Sequence, residues 1–271
     1  PMKFYSISLV NLLVVICLCI INSAEAQWMD DFNDGDLLNN PVWSGDIADF
    51  EVDANLELHL NATAAENESH LSTPSDIINN AVWEIKLRME FNPSSFNRAY
   101  VYLVSDQSDL ENPLNGYYVM LGNTADEVSL YRKTGSTSTK IIDGGDGSLN
   151  LSIVELGIRV TRDGVGNWEL FSDIGNTGTY VSEGQTLDAT HTSSSFFGVN
   201  CDYTATRSTL FYFDNVNVTG DGFIDTESPL IQSLTVIDAL HIDLLFNEAL
   251  DATTAEALSS YEWDGNNPSA A

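Results

Sequence analysis

Strict alternation of apolar and charged residues over residues 81–91, AVWEIKLRMEF, is the clearest pattern in this chain. Apolar side chains occupy the odd positions from Trp83 to Phe91, and charged side chains occupy the even positions from Glu84 to Glu90. A period of two is typical of a β-strand with one face on a core and the other in water. This segment therefore predicts a half-buried strand of an antiparallel sheet.

Other segments up to Gly222 have similar strand-like patterns. They are AYVYLVS, GYYVMLG, EVSLYR, VELGIRVTR, NWELFSD, SSFFGVNCD and STLFYFDNVNV. Stretches rich in Gly, Asn and Asp separate them, and RDGVGN between IRVT and WELF predicts a tight hairpin. We find no helical periodicity and no internal repeat between Trp28 and Gly222. The pattern predicts an all-β domain at 27–222 made of two antiparallel sheets packed face to face, a β-sandwich.

The sequence changes character after this domain. A Pro-containing linker is predicted at 223–229, and residues 230–271 predict two short strands, Ile231–Ile237 and His241–Phe246, then a short helix at 252–260. An immunoglobulin-like sandwich needs about 100 residues. We therefore expect an incomplete second domain whose apolar side chains are poorly packed unless they dock elsewhere.

The first residues predict export. Lys3 precedes an apolar run at Val10–Ile21, and Ala24-Glu25-Ala26 fits the small-x-small cleavage pattern. We interpret residues 1–26 as a signal peptide cleaved before Gln27, which predicts a secreted or cell-surface protein with no membrane span in the mature chain. Pro1 precedes Met2, and the last residues carry no terminal signal, so we also expect a fragment whose further C-terminal domains are missing.

The net charge limits the classes of binding partner that the chain can have. The net charge of −30 disfavours nucleic acid and anionic lipid, and it favours solubility and divalent cations. Cys201 is the only cysteine outside the predicted signal peptide, so no internal disulfide is expected there. We interpret Cys201 as a small buried apolar residue.

A family resemblance sharpens the fold prediction. The segments DDFNDGD, PVWSGD, LNGYYVMLG, DEVSLYR and FYFDNVNV, together with the strand at 81–91, resemble the concanavalin A-like, laminin G-like jelly rolls of secreted Bacteroidota proteins. The match covers about Trp28–Gly220. The stretch from Asp225 to YEWDG resembles the start of a bacterial Ig-like domain of the S-layer type. The resemblance implies a module of a larger surface protein.

The acidic stretch DDFNDGD raises the question of calcium. It is not an EF-hand loop, because Phe32 and Pro41 occupy ligand positions three and twelve when the loop starts at Asp30. The resemblance to glucanase-like jelly rolls instead implies a structural Ca²⁺ held by Asp31, Asp214 and the carbonyl of Gly45. A solvated or hydrogen-bonded Asp214 is the alternative.

Catalytic motifs are missing from the sequence. Retaining glycoside hydrolases of this fold carry E-x-D-x-x-E on one strand, and this chain has no such motif. Glu84 and Glu90 are about 20 Å apart at the rise of a strand, too far to act as a pair. The four histidines, His59, His70, His191 and His241, are scattered in the sequence, so no metal cluster is expected. We therefore expect a protein that is not an enzyme.

Aromatic residues on the middle strands favour ligand binding. Rings on one face of a sheet stack on sugar rings, and neighbouring Arg or Asn side chains bond hydroxyl groups. The candidate ligand-binding residues are Arg98, Tyr100, Tyr102, Tyr117 and Trp168. The sequence predicts a glycan-binding or adhesive module with a polysaccharide or cell-surface glycan as partner. A spacer without a ligand and a divergent polysaccharide hydrolase remain the alternatives.

Overall fold

A computed structural model of the chain describes residues 26–222, 230–237 and 242–246. The chain divides into two compact units, Pro1–Phe223 and Ile224–Ala271. The predicted signal peptide up to residue 25, the linker at 223–229 and the predicted helix at 252–260 lie outside the described residues. Among the described residues we find no helix with the length and apolar character needed to cross a membrane.

Strands account for nearly all regular structure in the described part of the first unit. They are β1 (Ala26–Asp30), β2 (Ser44–Gly45), β3 (Phe50–Val52), β4 (Leu58–Leu60), β5 (Asn67–Pro74), β6 (Asn79–Met89), β7 (Arg98–Ser105), β8 (Leu114–Gly122), β9 (Glu127–Gly135), β10 (Thr137–Ile142), β11 (Val154–Arg162), β12 (Asn167–Ile174), β13 (Val181–Leu187), β14 (Phe196–Tyr203) and β15 (Phe211–Asp221). A short 3₁₀ helix, Ile47–Asp49, precedes β3.

The strands form two antiparallel sheets. An eight-stranded sheet has the order β13-β12-β11-β6-β15-β4-β3, with β1 also paired to β15. A seven-stranded sheet has the order β10-β9-β8-β7-β14-β5-β2. The expected two-sheet antiparallel β-sandwich is confirmed, and the RDGVGN stretch forms the predicted hairpin between β11 and β12.

The core lies between the two sheets, and the alternation in β6 explains its composition. Trp83, Ile85 and Leu87 point inward and are at most 2% exposed. Trp83 stacks on Trp168 of β12, with 5.6 Å between ring centroids. Cys201 is fully buried, as expected. Burial of these large side chains is the main stabilising contribution to such a domain.

The described part of the second unit is a pair of antiparallel strands, β16 (Ile231–Val236) and β17 (Ile242–Phe246). Their positions agree closely with the two predicted strands. Ile231, Leu234 and Leu245 are exposed. An Ig-like domain at 230–271 stays a prediction, because two strands do not define such a domain.

Candidate functional site

Tyrosines line the outer face of the seven-stranded sheet. Tyr102 of β7 is the Cα partner of Tyr118 on β8, which is the partner of Tyr131 on β9. Directly paired residues of antiparallel strands lie on the same face. Tyr100 and its partner Met120 form the next row. We call these five residues the tyrosine face.

The rings of the tyrosine face pack against one another. Tyr118 and Tyr131 are stacked at 5.2 Å with 3° between their planes, and Tyr102 lies 5.1 Å from Tyr118. Each of the five side chains belongs to a residue that is at most 9% exposed. The sequence predicted a shared ligand-facing surface for Tyr100 and Tyr102. The structure places both on one face but buries most of each ring in a small apolar cluster.

A loop covers this face. Residues 106–113, between β7 and β8, fold back over the sheet, and Leu110 is fully buried against the tyrosines. Gly198 of β14 makes room for this contact, since an added Cβ would lie 2.7 Å from Leu110 Cδ1. Lys133 Nζ donates to the carbonyl oxygens of Leu110 at 3.4 Å and Asn112 at 3.1 Å. We call residues 106–113 the covering loop.

A polar group remains accessible beside the rings. Arg98 Nε and the Tyr100 hydroxyl both donate to Asp202 Oδ2, each at 2.7 Å. The side chains of Arg98 and Asp202 are 26% and 21% exposed. Burial and the adjacent Asp202 carboxylate raise the pKa of Tyr100, so its hydroxyl keeps its proton. This arrangement places a cation, a hydroxyl and a carboxylate at the edge of the buried tyrosine cluster.

Sequence reasoning named Arg98 and Tyr100 but missed Asp202. The alternation in VNCDY contains the missing signal, because an inward Cys201 requires an outward Asp202 on β14. Asp202 is the Cα partner of Arg98, and this pairing between distant segments is not visible in the sequence.

The structure places Tyr117 and Trp168 in the core. They are 0% and 1% exposed, and their rings lie 4.4 Å apart between the two sheets. The Tyr117 hydroxyl donates to Asp188 Oδ1 at 2.8 Å, and Trp168 Nε1 donates to the Asp188 carbonyl at 2.9 Å. Adjacent residues of a strand point to opposite faces, so Tyr117 points inward because Tyr118 points outward. Neither Tyr117 nor Trp168 is within reach of a surface ligand.

The three predicted calcium ligands are distributed over both sheets. Asp31 follows β1, which pairs with β15, the strand of Asp214. Gly45 lies in β2 of the other sheet, paired with Leu71. Burial and the nearby Asp31 carboxylate raise the pKa of Asp214. Asp214 accepts the backbone N–H of Asn215 at 2.7 Å, which is the hydrogen-bonded alternative. We call the two neighbouring carboxylates the Asp31–Asp214 pair.

Asp30, the first residue of the acidic stretch DDFNDGD, has a structural role. Its carboxylate accepts hydrogen bonds from Trp43 Nε1 and from the backbone N–H of Phe32, both at 2.8 Å. Asp30 is only 6% exposed, and burial raises the pKa of its carboxyl. The first carboxylate of the stretch thus holds the N-terminal loop against the core.

A polar cavity of about 260 Å³ lies on the outer face of the eight-stranded sheet, beside Asp214. Its lining includes Glu57, Lys86, Arg88 and Tyr212. The Arg88 guanidinium lies over the Tyr212 ring at 3.7 Å, and Arg88 also forms ion pairs with Glu57 and Glu90. The charged groups of this face are largely paired with one another.

Comparison with known proteins identifies the fold. No protein-family model and no curated protein sequence matches the chain. The exoplasmic/lumenal domain of VIP36 in its Ca²⁺/Man-bound form matches with a TM-score of 0.52 and 11% identity, over 83% of this chain and 98% of that one. The carbohydrate recognition domain of Emp46p in its metal-free form matches with a TM-score of 0.51 and 14% identity, over 72% and 95%. The first unit has the jelly-roll β-sandwich fold of these two domains. At these identities the likeness concerns the fold alone.

Proposed function

We propose that the chain is a non-catalytic, glycan-binding β-sandwich module of a secreted or cell-surface protein. The observation that carries this proposal is the group formed by Arg98, Tyr100 and Asp202 at the edge of the tyrosine face. Sugar sites combine an aromatic surface with a few fixed donors and acceptors for hydroxyl groups. The jelly-roll fold adds support, since the VIP36 structure is a Man-bound form and the Emp46p domain is a carbohydrate recognition domain.

The net charge favours an uncharged glycan. With a charge of −30, the protein repels polyanions over distances of about 8 Å at physiological ionic strength. Arg98 is already paired with Asp202 and so offers little free positive charge. A neutral polysaccharide or cell-surface glycan is therefore the ligand class that fits best.

The residues of β8 support a non-catalytic role. Gly116, Tyr118 and Met120 follow one another at alternate positions of this strand on the outer face. A retaining hydrolase needs two carboxyl groups about 5–5.5 Å apart. The outward row of β8 supplies none, whereas Asp202 of β14 and its Cα partner Glu68 of β5 lie on the same face.

Affinity electrophoresis against neutral polysaccharides tests the proposal, with reducing-end release measured in parallel. We expect retardation without release. Asp202→Asn removes the negative charge of the shared acceptor with little change in shape and should abolish most of the retardation. Tyr180→Phe, a change just before β13, should leave it intact. Release of reducing ends would identify a hydrolase, and the absence of retardation on every polysaccharide would favour a spacer module.

A structural Ca²⁺ at the Asp31–Asp214 pair is a separate proposal. A cation there would offset the repulsion between the two carboxylates and connect the segment after β1 to β15. Chelation should then lower the melting temperature of the wild-type protein but not of Asp214→Asn. Equal melting curves with and without chelator would contradict it.

A further inference from the structure

Three side chains from distant segments converge at the edge of the seven-stranded sheet. His70 Nδ1 on β5 lies 3.1 Å from Asp46 Oδ2 and 3.3 Å from Glu111 Oε1. Asp46 follows β2, and Glu111 belongs to the covering loop. One ligand atom from each of the three residues lies within 4.8 Å of the other two.

These separations suit a shared metal ion. Metal bonds of about 2.0–2.2 Å at tetrahedral or octahedral angles place neighbouring donor atoms about 3–3.5 Å apart. Hydrogen bonds also connect these groups, because Asp46 Oδ2 accepts the His70 backbone N–H and His70 Nδ1 can donate to Glu111 Oε1. Nδ1 carries at most one proton, so a donation to Glu111 leaves its 3.1 Å approach to Asp46 Oδ2 without a proton.

The donors are held in place by the backbone. Asp46 N donates to the His70 carbonyl, and His70 N donates to Asp46 Oδ2, both at 2.9 Å. Gly45 allows this close approach, because an added Cβ would lie 2.5 Å from the His70 carbonyl oxygen. Asp109 Oδ1 accepts the Glu111 N–H at 3.1 Å and orders the tip of the covering loop. A preorganised donor set binds an ion with little conformational cost.

A second observation points to a ligand at this position. Asn200, the Cα partner of His70 on β14, is 3% exposed. Within the part of the chain that the structure describes, its Oδ1 atom is buried without a hydrogen-bond partner. A buried amide oxygen without a partner costs free energy. An ion or its bound water beside His70 would supply that partner.

The surroundings favour a cation and leave a path for it. Glu68 and Asp109 interact electrostatically with His70 and add two further carboxylates. The side chains of Asp46 and Glu111 are 40% and 32% exposed, whereas that of His70 is 9% exposed. The site is therefore open to solvent on its carboxylate side.

We propose that Asp46, His70 and Glu111 bind one divalent transition-metal ion of the Zn²⁺ type, which fastens the covering loop to β5. Imidazole nitrogen suits zinc, whereas Ca²⁺ takes six to eight oxygen ligands. Three protein ligands leave a fourth position for water or the Asn200 amide oxygen. The site is separate from the Asp31–Asp214 pair, and it does not depend on glycan binding.

Calorimetric titration of the metal-stripped protein with Zn²⁺, and in parallel with Ca²⁺, tests this proposal. We expect one tight Zn²⁺ site and much weaker Ca²⁺ binding. Glu111→Gln changes a partly exposed loop residue and should weaken Zn²⁺ binding more than about tenfold. Hydrogen exchange provides the second measurement, since Zn²⁺ should protect the backbone amides of residues 109–112 in the wild type but not in Glu111→Gln.

Two variants provide the controls. Glu66→Gln removes the same charge at an exposed position between β4 and β5, and Asp214→Asn alters the other acidic pair. Both should bind Zn²⁺ like the wild type. The proposal is overturned if wild type and Glu111→Gln bind Zn²⁺ equally, or if Asp214→Asn abolishes binding. Zn²⁺ binding without added protection of the covering loop would overturn the fastening role.

Discussion

The two sheets of the sandwich present very different outer faces. On β6 the outward residues are Glu84, Lys86 and Arg88; Glu84 forms an ion pair with Arg159 of β11, and Arg88 forms one with Glu57, just before β4. On β7 the outward residues are Tyr100 and Tyr102, and the covering loop lies over the middle of the seven-stranded sheet. Both strands alternate about the same core, yet one outer face is solvated and the other is buried.

The difference concerns strands of an antiparallel sheet that lack alternating polar residues, because such strands are buried on both faces. Inward and outward residues of β6 alternate in burial, whereas seven of the eight residues of β7 are buried. Antiparallel sheets usually face water on one side. An outer face that remains apolar therefore indicates a cover, and here a loop of the same chain provides it. Arg98 and Asp202 remain partly accessible at the rim of that cover.

The largest expected effect concerns the cover itself. Leu110→Ala removes a fully buried side chain and should lower the free energy of unfolding by about 2–4 kcal/mol, because it leaves a cavity over the tyrosine face. Urea denaturation measures this change. Leu187→Ala, at a position that is 67% exposed, is the matched control and should change stability by less than about 0.5 kcal/mol. Equal effects of the two substitutions would show that the loop does not cover the sheet.

The next prediction concerns alkaline pH. Burial raises the pKa of Tyr100, Tyr102, Tyr118 and Tyr131 in the folded protein, whereas unfolded tyrosines ionise near pH 10. A raised folded pKa stabilises the fold below the unfolded value, and this contribution is lost as the pH rises above about 10. We expect stability to fall steeply above that pH. The fall should be smaller in Tyr102→Phe, which lacks one of the ionising hydroxyls.

Urea midpoints on both sides of this pH, with absorbance titration of the phenols, measure the effect. In denaturant all tyrosines should titrate together near pH 10. A native titration that coincides with the one in denaturant would mean that the tyrosine face is open to solvent. The contrast between the two outer faces would then be lost.

Much of this fold could be predicted from the local alternation of apolar and polar residues. The pattern in β6 predicted which of its own residues point into the core, and the succession of strands and turns predicted a two-sheet sandwich. It also placed Tyr100 and Tyr102 on one face, because they are two residues apart in a strand. The same rule applied to adjacent residues would have placed Tyr117 in the core, opposite Tyr118.

Contacts between distant segments were not predictable in this way. Asp46 and Glu111 lie 24 and 41 residues from His70 in the sequence, and no local periodicity links them. Their meeting depends on the pairing of β2 with β5 and on the path of the covering loop. The sequence therefore gave no sign that these three residues form a cluster until the sheet order and the path of the covering loop were known.

The smallest expected effect belongs to the charged outer face. Arg159 Nε donates to Glu84 Oε1 at 2.7 Å, and the two side chains are 39% and 29% exposed. Water and salt screen such a pair, so a double-mutant cycle with Arg159→Ala and Glu84→Ala should give a coupling of about 0.2–1 kcal/mol that shrinks at high salt.

Arg159 also lies over the Tyr180 ring at 4.2 Å, and Tyr180→Leu in the same background separates that contact from the ion pair. A coupling of about 3 kcal/mol or more, insensitive to salt, would require that the pair be dehydrated. The outer face of the eight-stranded sheet would then have to be shielded from water as well, and the outer faces of the two sheets would differ only in the groups that shield them.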